Sequence, residues 1–263
     1  MNILYWNIKN NSNIESIISN CLIENDIDIA LLSEYNSVDF NCLLETVGSS
    51  YEILQGIAGC EKVKVIYKSK LQLSIVREQH RYLIMELVIG VDQYFITGVH
   101  LPSNPYSNSD DRKDVIRNIM QDISESEGKY DKEHNSIVIG DMNASPFDSE
   151  MVNKNSFNAV LFKKLIEKNE MIEYHGDNYE RFYNPILEYV GETLDCYGSF
   201  YYSSGIGTLY WYCFDQVLVR KSLINKIKGL TYLKQIGEIR LIKDVAPDSK
   251  ISDHLPLLVQ FEI

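Results

Sequence analysis

The sequence has 263 residues, of which 45% are hydrophobic and 24% charged, so it can bury a large core as one domain over residues 1–263. Its formal net charge of −12 excludes a protein that holds nucleic acid through phosphate attraction alone. No apolar run approaches the roughly 18 residues of a membrane span, and the five cysteines are odd in number and widely spaced. We expect a cytoplasmic protein with reduced thiols and no membrane anchor.

The N-terminal half shows short apolar runs around one helical pattern. Residues 3–8 predict a strand, and Ser12 with Glu15 has the spacing of a capping box before a helix. A nearly continuous apolar run predicts the next strand over residues 27–32. Further strands, several close enough to pair as hairpins, are predicted over residues 51–57, 62–68, 71–77, 82–89 and 94–99.

The C-terminal half mixes helices and strands. Helices are predicted over residues 109–126 and 157–168. Strands or extended segments are predicted over residues 137–139, 214–219, 230–242 and 257–263. Hairpin-paired strands with helices between them fit an α/β (α+β) fold, here a four-layer α/β/β/α sandwich of two packed, mixed, mainly antiparallel sheets flanked by helices.

Polar residues stand at the ends of these strands. Those that follow a strand are Asn7, Glu34, His100, Asp141 and Asn143, and those that precede a strand are Asp215, Asp253 and His254. If the two sets of strands run in opposite directions, antiparallel pairing brings all these side chains to one rim of the sandwich. Each residue alone is readily explained as a turn, a cap or a solvated side chain. The combination predicts a site.

Such a rim suits a hard divalent cation. Mg²⁺ prefers a few protein oxygen ligands and also takes phosphate oxygens, so Glu34 with Asp253 or Asn7 is able to hold the ion near a phosphoryl group. Without a cation these carboxylates would repel one another and a phosphate alike. With Asp253 beside it in sequence and Asp215 at a strand start, His254 is expected to have its tautomer fixed by a carboxylate.

Taken in order, these residues resemble the endonuclease/exonuclease/phosphatase superfamily, whose members share the deoxyribonuclease I-like fold. The matching segments are residues 6–7 (WN), 33–34 (SE), 99–101 (VHL), 140–143 (GDMN), 214–219 (FDQVLV) and 252–257 (SDHLPL). The resemblance implies a phosphodiester hydrolase that depends on Mg²⁺ or Mn²⁺ and acts as a nuclease on DNA or RNA. Two alternatives stay open: a phosphatase or phospholipase-type enzyme of the same fold, and a binding module that has lost catalysis.

The resemblance also implies a role for each residue at the rim. Glu34 would be the principal metal ligand, with Asn7 and Asp253 close to the ion. Asp141 and Asn143 would contact the attacking water and the scissile phosphate. His254, oriented by Asp215, would be a general base or a phosphate-stabilising imidazole. His100 would be a second catalytic histidine. The base is implied at the position of either Asp141 or His254.

Three departures from the family pattern stand out. Ser33 precedes the implied metal ligand where the family usually has Gln. Ile8 and Lys9 follow Asn7, so the extra aspartate that some repair endonucleases carry there is absent. Tyr82 stands where the deoxyribonuclease branch has a Glu that pairs with its second histidine, which puts the acid role of His100 in question.

Aromatic residues crowd into positions 179–214, just before Asp215. Sheet packing explains much of this, because Tyr and Phe favour strands. The functional hypothesis is a stacking platform for bases around a turn at residues 203–205, with Tyr202 and Trp211 as the substrate-contacting residues. Stacking suits an acidic protein, since it needs no phosphate-binding cations.

Overall fold

The structure is a computed structural model, which describes residues 1–56, 59–103, 109–129, 134–204 and 209–263. Its strands are β1 (Asn2–Asn7), β2 (Ile29–Ser33), β3 (Tyr51–Ile53), β4 (Lys64–Lys68), β5 (Gln72–Gln79), β6 (Tyr82–Ile89), β7 (Asp92–His100), β8 (Ser136–Asp141), β9 (Ala159–Val160), β10 (Met171–Tyr174), β11 (Asp177–Glu180), β12 (Phe182–Tyr183), β13 (Phe200–Tyr202), β14 (Tyr210–Tyr212), β15 (Asp215–Val219), β16 (Ile227–Tyr232), β17 (Gln235–Ile236), β18 (Ile239–Arg240), β19 (Ile242–Lys243), β20 (Ala246–Pro247) and β21 (Leu257–Phe261). Its α-helices are α1 (Glu15–Glu24), α2 (Phe40–Val47), α3 (Ser109–Glu127), α4 (Ser149–Val152), α5 (Lys163–Lys168) and α6 (Ile186–Tyr189). Short 3-10 helices include Gly48–Ser50, Glu192–Leu194 and Lys221–Lys226.

Two mixed sheets pack face to face. The six-stranded sheet has the order β16-β21-β1-β2-β4-β3, and the seven-stranded sheet has the order β5-β6-β7-β8-β15-β12-β9. Gly98 of β7 marks how closely they approach, because a Cβ at this position would collide with the Leu31 side chain of β2. The inner faces therefore form one close-packed core, in which even one methyl group matters.

Helices cover the outer faces. Along α3, a stripe of isoleucines packs with Ile84 and Val138 of the seven-stranded sheet; its members are Ile116, Ile119 and Ile123. On the other side, α1 buries Ile18, Cys21 and Leu22 in the cluster that contains the six-stranded sheet. The expected four-layer sandwich is confirmed. None of the described helices combines the length and the apolar character needed to cross a bilayer.

Strand directions place the candidate residues together. Strand β1 runs parallel to β2, with Asn7 opposite Ser33, and β7 runs parallel to β8, with His100 opposite Asp141. Strand β15 is antiparallel to β8 and begins with Asp215 opposite Asp141, while β21 is antiparallel to β1. The C-terminal ends of β1, β2, β7 and β8 and the N-terminal ends of β15 and β21 therefore lie at one rim.

Several predicted elements were wrong in detail. Helix α1 has no side-chain cap: Ile14 occupies the N-cap position, and Glu15 instead accepts a hydrogen bond from the Asp39 N–H at 2.8 Å. The predicted capping box is thus replaced by a contact that ties α1 to the start of α2, a helix that was not predicted.

The predicted helix over 157–168 is a helix only in its second half. Asn158 adopts a left-handed backbone (φ 50°), after which the chain forms β9 and then α5. An extended segment was predicted over 230–242, but the long strand β16 ends at Tyr232. The chain then forms the short β17–β18 hairpin, which turns at Gly237 (φ 55°). The predicted strand over 51–57 ends at Ile53, and its last residue lies outside the described residues.

Candidate active site

His254 and Asp215 form a buried pair at the centre of the rim. His254 Nδ1 lies 2.7 Å from Asp215 Oδ2, and both side chains are buried. The Asp215 N–H donates to Ser199 Oγ at 3.1 Å, and its carbonyl oxygen accepts from the Tyr232 hydroxyl at 2.6 Å. Trp6 Nε1 donates to the His254 carbonyl oxygen at 3.0 Å. The backbone at both members is thus fixed by neighbouring strands.

The electrostatics of this pair favour a charged imidazole. Burial disfavours the imidazolium, but the carboxylate of Asp215 and its hydrogen bond outweigh burial and raise the pKa of His254 to about 10. Burial also raises the pKa of Asp215, against the attraction of the imidazolium. The hydrogen bond occupies Nδ1, so Nε2 is the ring nitrogen left to act on a substrate.

Asn7 links two further carboxylates. Its Nδ2 donates to Glu34 Oε1 and to Asp141 Oδ2, each at 3.2 Å, and its Oδ1 accepts from the Lys9 N–H at 3.0 Å. With this amide orientation Asn7 positions the carboxylates through its N–H groups; ligation of a metal by Oδ1 would require the amide to rotate. Asn7 itself is fixed by Ser252, whose Oγ donates to the Asn7 carbonyl oxygen at 2.7 Å.

Glu34 and Asn143 both have left-handed backbones, with φ of 50° and 46°. Asparagine adopts this conformation readily, whereas a glutamate keeps it only where the surroundings hold it. The Asn143 N–H donates to Asp141 Oδ1 at 2.9 Å, and its Nδ2 donates to the Leu101 carbonyl oxygen at 3.0 Å. Asn143 therefore orients Asp141 and closes the loop after β8.

His100 faces the same carboxylates more loosely. Its Nε2 lies 3.8 Å from Glu34 Oε1 and 3.7 Å from Asp141 Oδ2. Burial lowers the pKa of His100, although both carboxylates oppose this. Its buried Nδ1 has no hydrogen-bond partner within the described ranges. Tyr82 does not orient it, because the Tyr82 hydroxyl donates to Asp122 Oδ2 at 2.7 Å.

The donor set fits a hard divalent cation. Glu34 and Asp141 approach a single amide nitrogen, and no lysine or arginine is paired with either in the part of the chain that the structure describes. Ligand atoms of Asp141, Asp215 and His254 also lie within 4.8 Å of one another. The charged His254 compensates Asp215, so the excess of negative charge lies on Glu34 and Asp141, and carboxylate oxygens are the donors that Mg²⁺ or Mn²⁺ prefers. Asp253 stands apart, since its Oδ2 pairs with Lys9 Nζ at 3.2 Å.

The aromatic residues before Asp215 divide between two faces of the β13–β14 hairpin. The Phe200 ring lies 4.9 Å from the His254 ring and stacks on Phe214 at 5.4 Å. Tyr202, two residues further along the strand, shares the Phe200 face and is 48% exposed. Trp211 instead sits against Tyr201 at 5.4 Å, on the other face. Of the turn predicted at residues 203–205, the last residue lies outside the described residues.

No protein-family model and no curated protein sequence matches the chain. Solved structures do. Over all of this chain, D. rerio TDP2 complexed with single-strand DNA product has 16% identity, 99% of its chain covered and a TM-score of 0.65. An endonuclease/exonuclease/phosphatase family protein from Bacteroides thetaiotaomicron has 12% identity, 98% coverage and a TM-score of 0.61. An AP endonuclease from Archaeoglobus fulgidus has 16% identity, 100% coverage and a TM-score of 0.54. The chain has the deoxyribonuclease I-like fold of these structures.

Proposed function

We propose that the protein is a divalent-metal-dependent phosphodiester hydrolase, and more specifically a nuclease that acts on DNA or RNA. The observation that supports this most directly is the arrangement of the rim: the buried Asp215–His254 pair lies next to the Asn7–Glu34–Asp141 group. The Asp215–His254 pair supplies an oriented imidazole, and the Asn7–Glu34–Asp141 group supplies carboxylate oxygens that are able to hold a metal ion. Hydrolysis of a phosphate ester uses both.

Glu34 is the proposed principal ligand of Mg²⁺ or Mn²⁺. Asn7 positions it and would be a ligand itself if its amide rotated. Asp253 is the third proposed ligand, and it would have to leave its ion pair with Lys9 to hold the ion. When bound, the ion neutralises charge on the phosphoryl oxygens. Glu34 and Asp141 have no lysine or arginine partner among the described residues, so a bound cation would compensate their charge.

His254 Nε2 is proposed to act at the scissile phosphate or its attacking water, with Nδ1 held by Asp215. Asp141 is the other candidate to accept the proton of water, and Asn143 keeps its carboxylate in place. His100 completes the rim as a second imidazole within reach of Glu34 and Asp141. The Tyr82 hydroxyl does not contact His100, and His100 Nδ1 has no hydrogen-bond partner among the described residues. We therefore propose a supporting role for His100 rather than that of the main general acid.

Nucleic acid is the proposed substrate because of the aromatic strip beside His254. Phe200 lies against the His254 ring, Phe214 stacks on Phe200, and the exposed Tyr202 shares the Phe200 face of the strand. Base stacking on such rings contributes about 1–3 kcal/mol per base. Stacking needs no basic surface, so it is compatible with the net charge of −12. A comparison structure, D. rerio TDP2, is described in complex with single-strand DNA product, which supports the same choice.

A substrate panel tests the proposal. Single- and double-stranded DNA, RNA, abasic DNA, a 5′-phosphotyrosyl oligonucleotide, inositol phosphates and sphingomyelin are each incubated without metal, with Mg²⁺ and with Mn²⁺. We expect metal-dependent cleavage of at least one nucleic acid. Turnover of the inositol phosphates or sphingomyelin alone would favour the phosphatase or phospholipase alternative. A folded protein that turns over nothing with either metal would favour the binding module.

A further inference from the structure

Arg81 lies beside the rim, on the turn that joins β5 to β6. The His100 N–H donates to its carbonyl oxygen at 3.0 Å, so the pairing of β6 with β7 fixes its backbone next to a candidate catalytic residue. Its Nη1 lies 3.5 Å from the His100 carbonyl oxygen. The side chain is half-buried, and burial lowers the pKa of the guanidinium.

The guanidinium of Arg81 has no carboxylate partner in residues 1–56, 59–103, 109–129, 134–204 and 209–263. Within the described residues four other arginines have such a partner: Arg77 with Glu125, Arg112 with Glu150, Arg117 with Asp114 and Arg220 with Glu127. Arg240, which is exposed, and Arg181, whose Nη1 donates to the Asn169 carbonyl oxygen at 2.8 Å, have none there either, but neither lines the groove described next. A half-buried charge that lacks a counter-charge is costly unless something else supplies one. In a chain with 37 acidic residues and 25 basic ones, such a cation at the rim calls for an anionic ligand.

A groove of about 270 Å³ connects Arg81 to the candidate active site. Its lining includes Glu34 and His100 of the candidate site, the basic side chains Arg81 and Lys62, and the amides Asn10 and Asn36. Glu61 also lines it, but its carboxylate is 71% exposed and lies 3.3 Å from His80 Nδ1. The groove therefore offers two basic side chains and two amides beside the proposed metal ligand, which is a setting suited to a phosphate.

We propose that Arg81, assisted by Lys62, binds a second phosphate of the substrate, adjacent to the phosphate that is cleaved. The enzyme then selects substrates that carry at least two neighbouring phosphates, such as oligonucleotides, over an isolated phosphodiester. This inference rests on the proposed function and narrows it. It also gives an acidic protein a local positive site, since a planar guanidinium in a partly desolvated groove binds phosphate oxygens bidentately.

The test compares dinucleotides that contain one phosphodiester with the same dinucleotides carrying an added phosphate at the 5′ or the 3′ end. For the unmodified protein, we expect the added phosphate at one of the ends to lower KM about 10- to 100-fold. Arg81→Gln should lose this gain while cleaving the dinucleotide without the added phosphate at the original rate, and Arg81→Lys should retain part of the gain. Arg77→Gln is the matched control, because Arg77 is paired with Asp122 and Glu125 outside the groove.

Binding is measured in parallel, so that Arg81 is tested even if no cleavage occurs. With Ca²⁺ present, the logarithm of Kd for a fluorescent single-stranded oligonucleotide is plotted against the logarithm of salt concentration. Arg81→Gln should reduce the slope by about 0.7, the change for one phosphate contact on a single strand. If Arg81→Gln keeps both the KM gain and the slope, the inference is wrong, while cleavage by the unmodified protein would leave the nuclease proposal intact. A changed slope without any cleavage would support Arg81 and count against the nuclease proposal.

Discussion

Asp215 Oδ2 and His254 Nδ1 lie 2.7 Å apart although they belong to different sheets. Asp215 begins β15 in the seven-stranded sheet, and His254 precedes β21 in the six-stranded sheet. Their hydrogen bond therefore crosses the sandwich, and its length depends on how the two sheets pack. This relationship links the packing of the core to the proposed chemistry.

The first prediction concerns the coupling of this pair. Asp215→Asn and His254→Ala should each lower kcat by about 10³- to 10⁴-fold, by analogy with the loss of an orienting carboxylate in other hydrolases. The double variant should lose little more than the worse single variant, because the two side chains act as one unit. Single-turnover rates with an oligonucleotide measure this. Losses that multiply in the double variant would mean that Asp215 does not act through His254.

The second prediction concerns the packing of the sheets. Gly98→Ala should destabilise the fold by about 1–3 kcal/mol, because the new methyl group collides with Leu31 in the core. It should also lower kcat, since the two sheets that carry Asp215 and His254 are pushed apart. Urea unfolding and kinetics measure the two effects.

Gly191→Ala is the control for this variant. Its φ of 161° is extended backbone that any residue adopts, and a Cβ there meets nothing within 4 Å. This substitution should leave stability and rate close to those of the unmodified protein. A Gly98→Ala protein as stable as the Gly191→Ala protein would show that the sheet interface is less tightly packed than the structure indicates.

The third prediction separates the two faces of the β13–β14 hairpin. Tyr202→Ala should raise KM for a single-stranded oligonucleotide about 5- to 100-fold, the range expected for one lost stacking contact. Hydrolysis of a small phosphodiester should be unchanged. Trp211→Ala should leave both KM values alone or reduce stability, because Trp211 packs against Tyr201. An equal rise of KM in both variants would contradict this division.

The fourth prediction uses the buried ion pair that joins α3 to α4. Arg112 Nη2 lies 2.6 Å from Glu150 Oε1; burial opposes the charged carboxyl, but the hydrogen bonds of Arg112 prevail and lower the pKa of Glu150 below its usual 4.5. A carboxyl with a lowered folded pKa stabilises the fold fully above its unfolded pKa, and this contribution is lost as the pH falls through the folded pKa. The Glu150→Gln protein should therefore lose less stability than the unmodified protein as the pH falls from about 5 to 3. Thermal unfolding at each pH measures this. An equal loss of stability in the two proteins over this pH range would contradict the pairing.

The rim residues could be predicted from the sequence because each stands next to an apolar run that is itself easy to recognise. Asn7, Asp141 and His254 follow or precede such runs; antiparallel pairing within each sheet and the packing of the two sheets bring them together. The resemblance of six short segments supplied the fold, and solved structures confirm it. The roles of the individual residues stay predictions.

Other features depend on tertiary contacts that no local pattern encodes. The capping box failed because Glu15 contacts Asp39 on another helix. Ser199 and Arg81 belong to no motif, and they reach the rim only because β13 and the β5–β6 turn pack beside it. Tyr202 and Trp211 looked equivalent in sequence, whereas their strand register sets them on opposite faces.

Metal dependence is the most direct test of the central claim, with Glu34→Gln beside a matched control, Glu61→Gln, which neutralises another carboxylate of the same groove. Oligonucleotide cleavage is measured after EDTA treatment and again after addition of Mg²⁺ or Mn²⁺. We expect no cleavage in EDTA, and full recovery with metal for the unmodified and Glu61→Gln proteins. Glu34→Gln should show no recovery. It should also lose metal binding, measured by calorimetry, while unfolding at the same temperature as the unmodified protein. Full activity in excess EDTA, or in Glu34→Gln, would contradict the account.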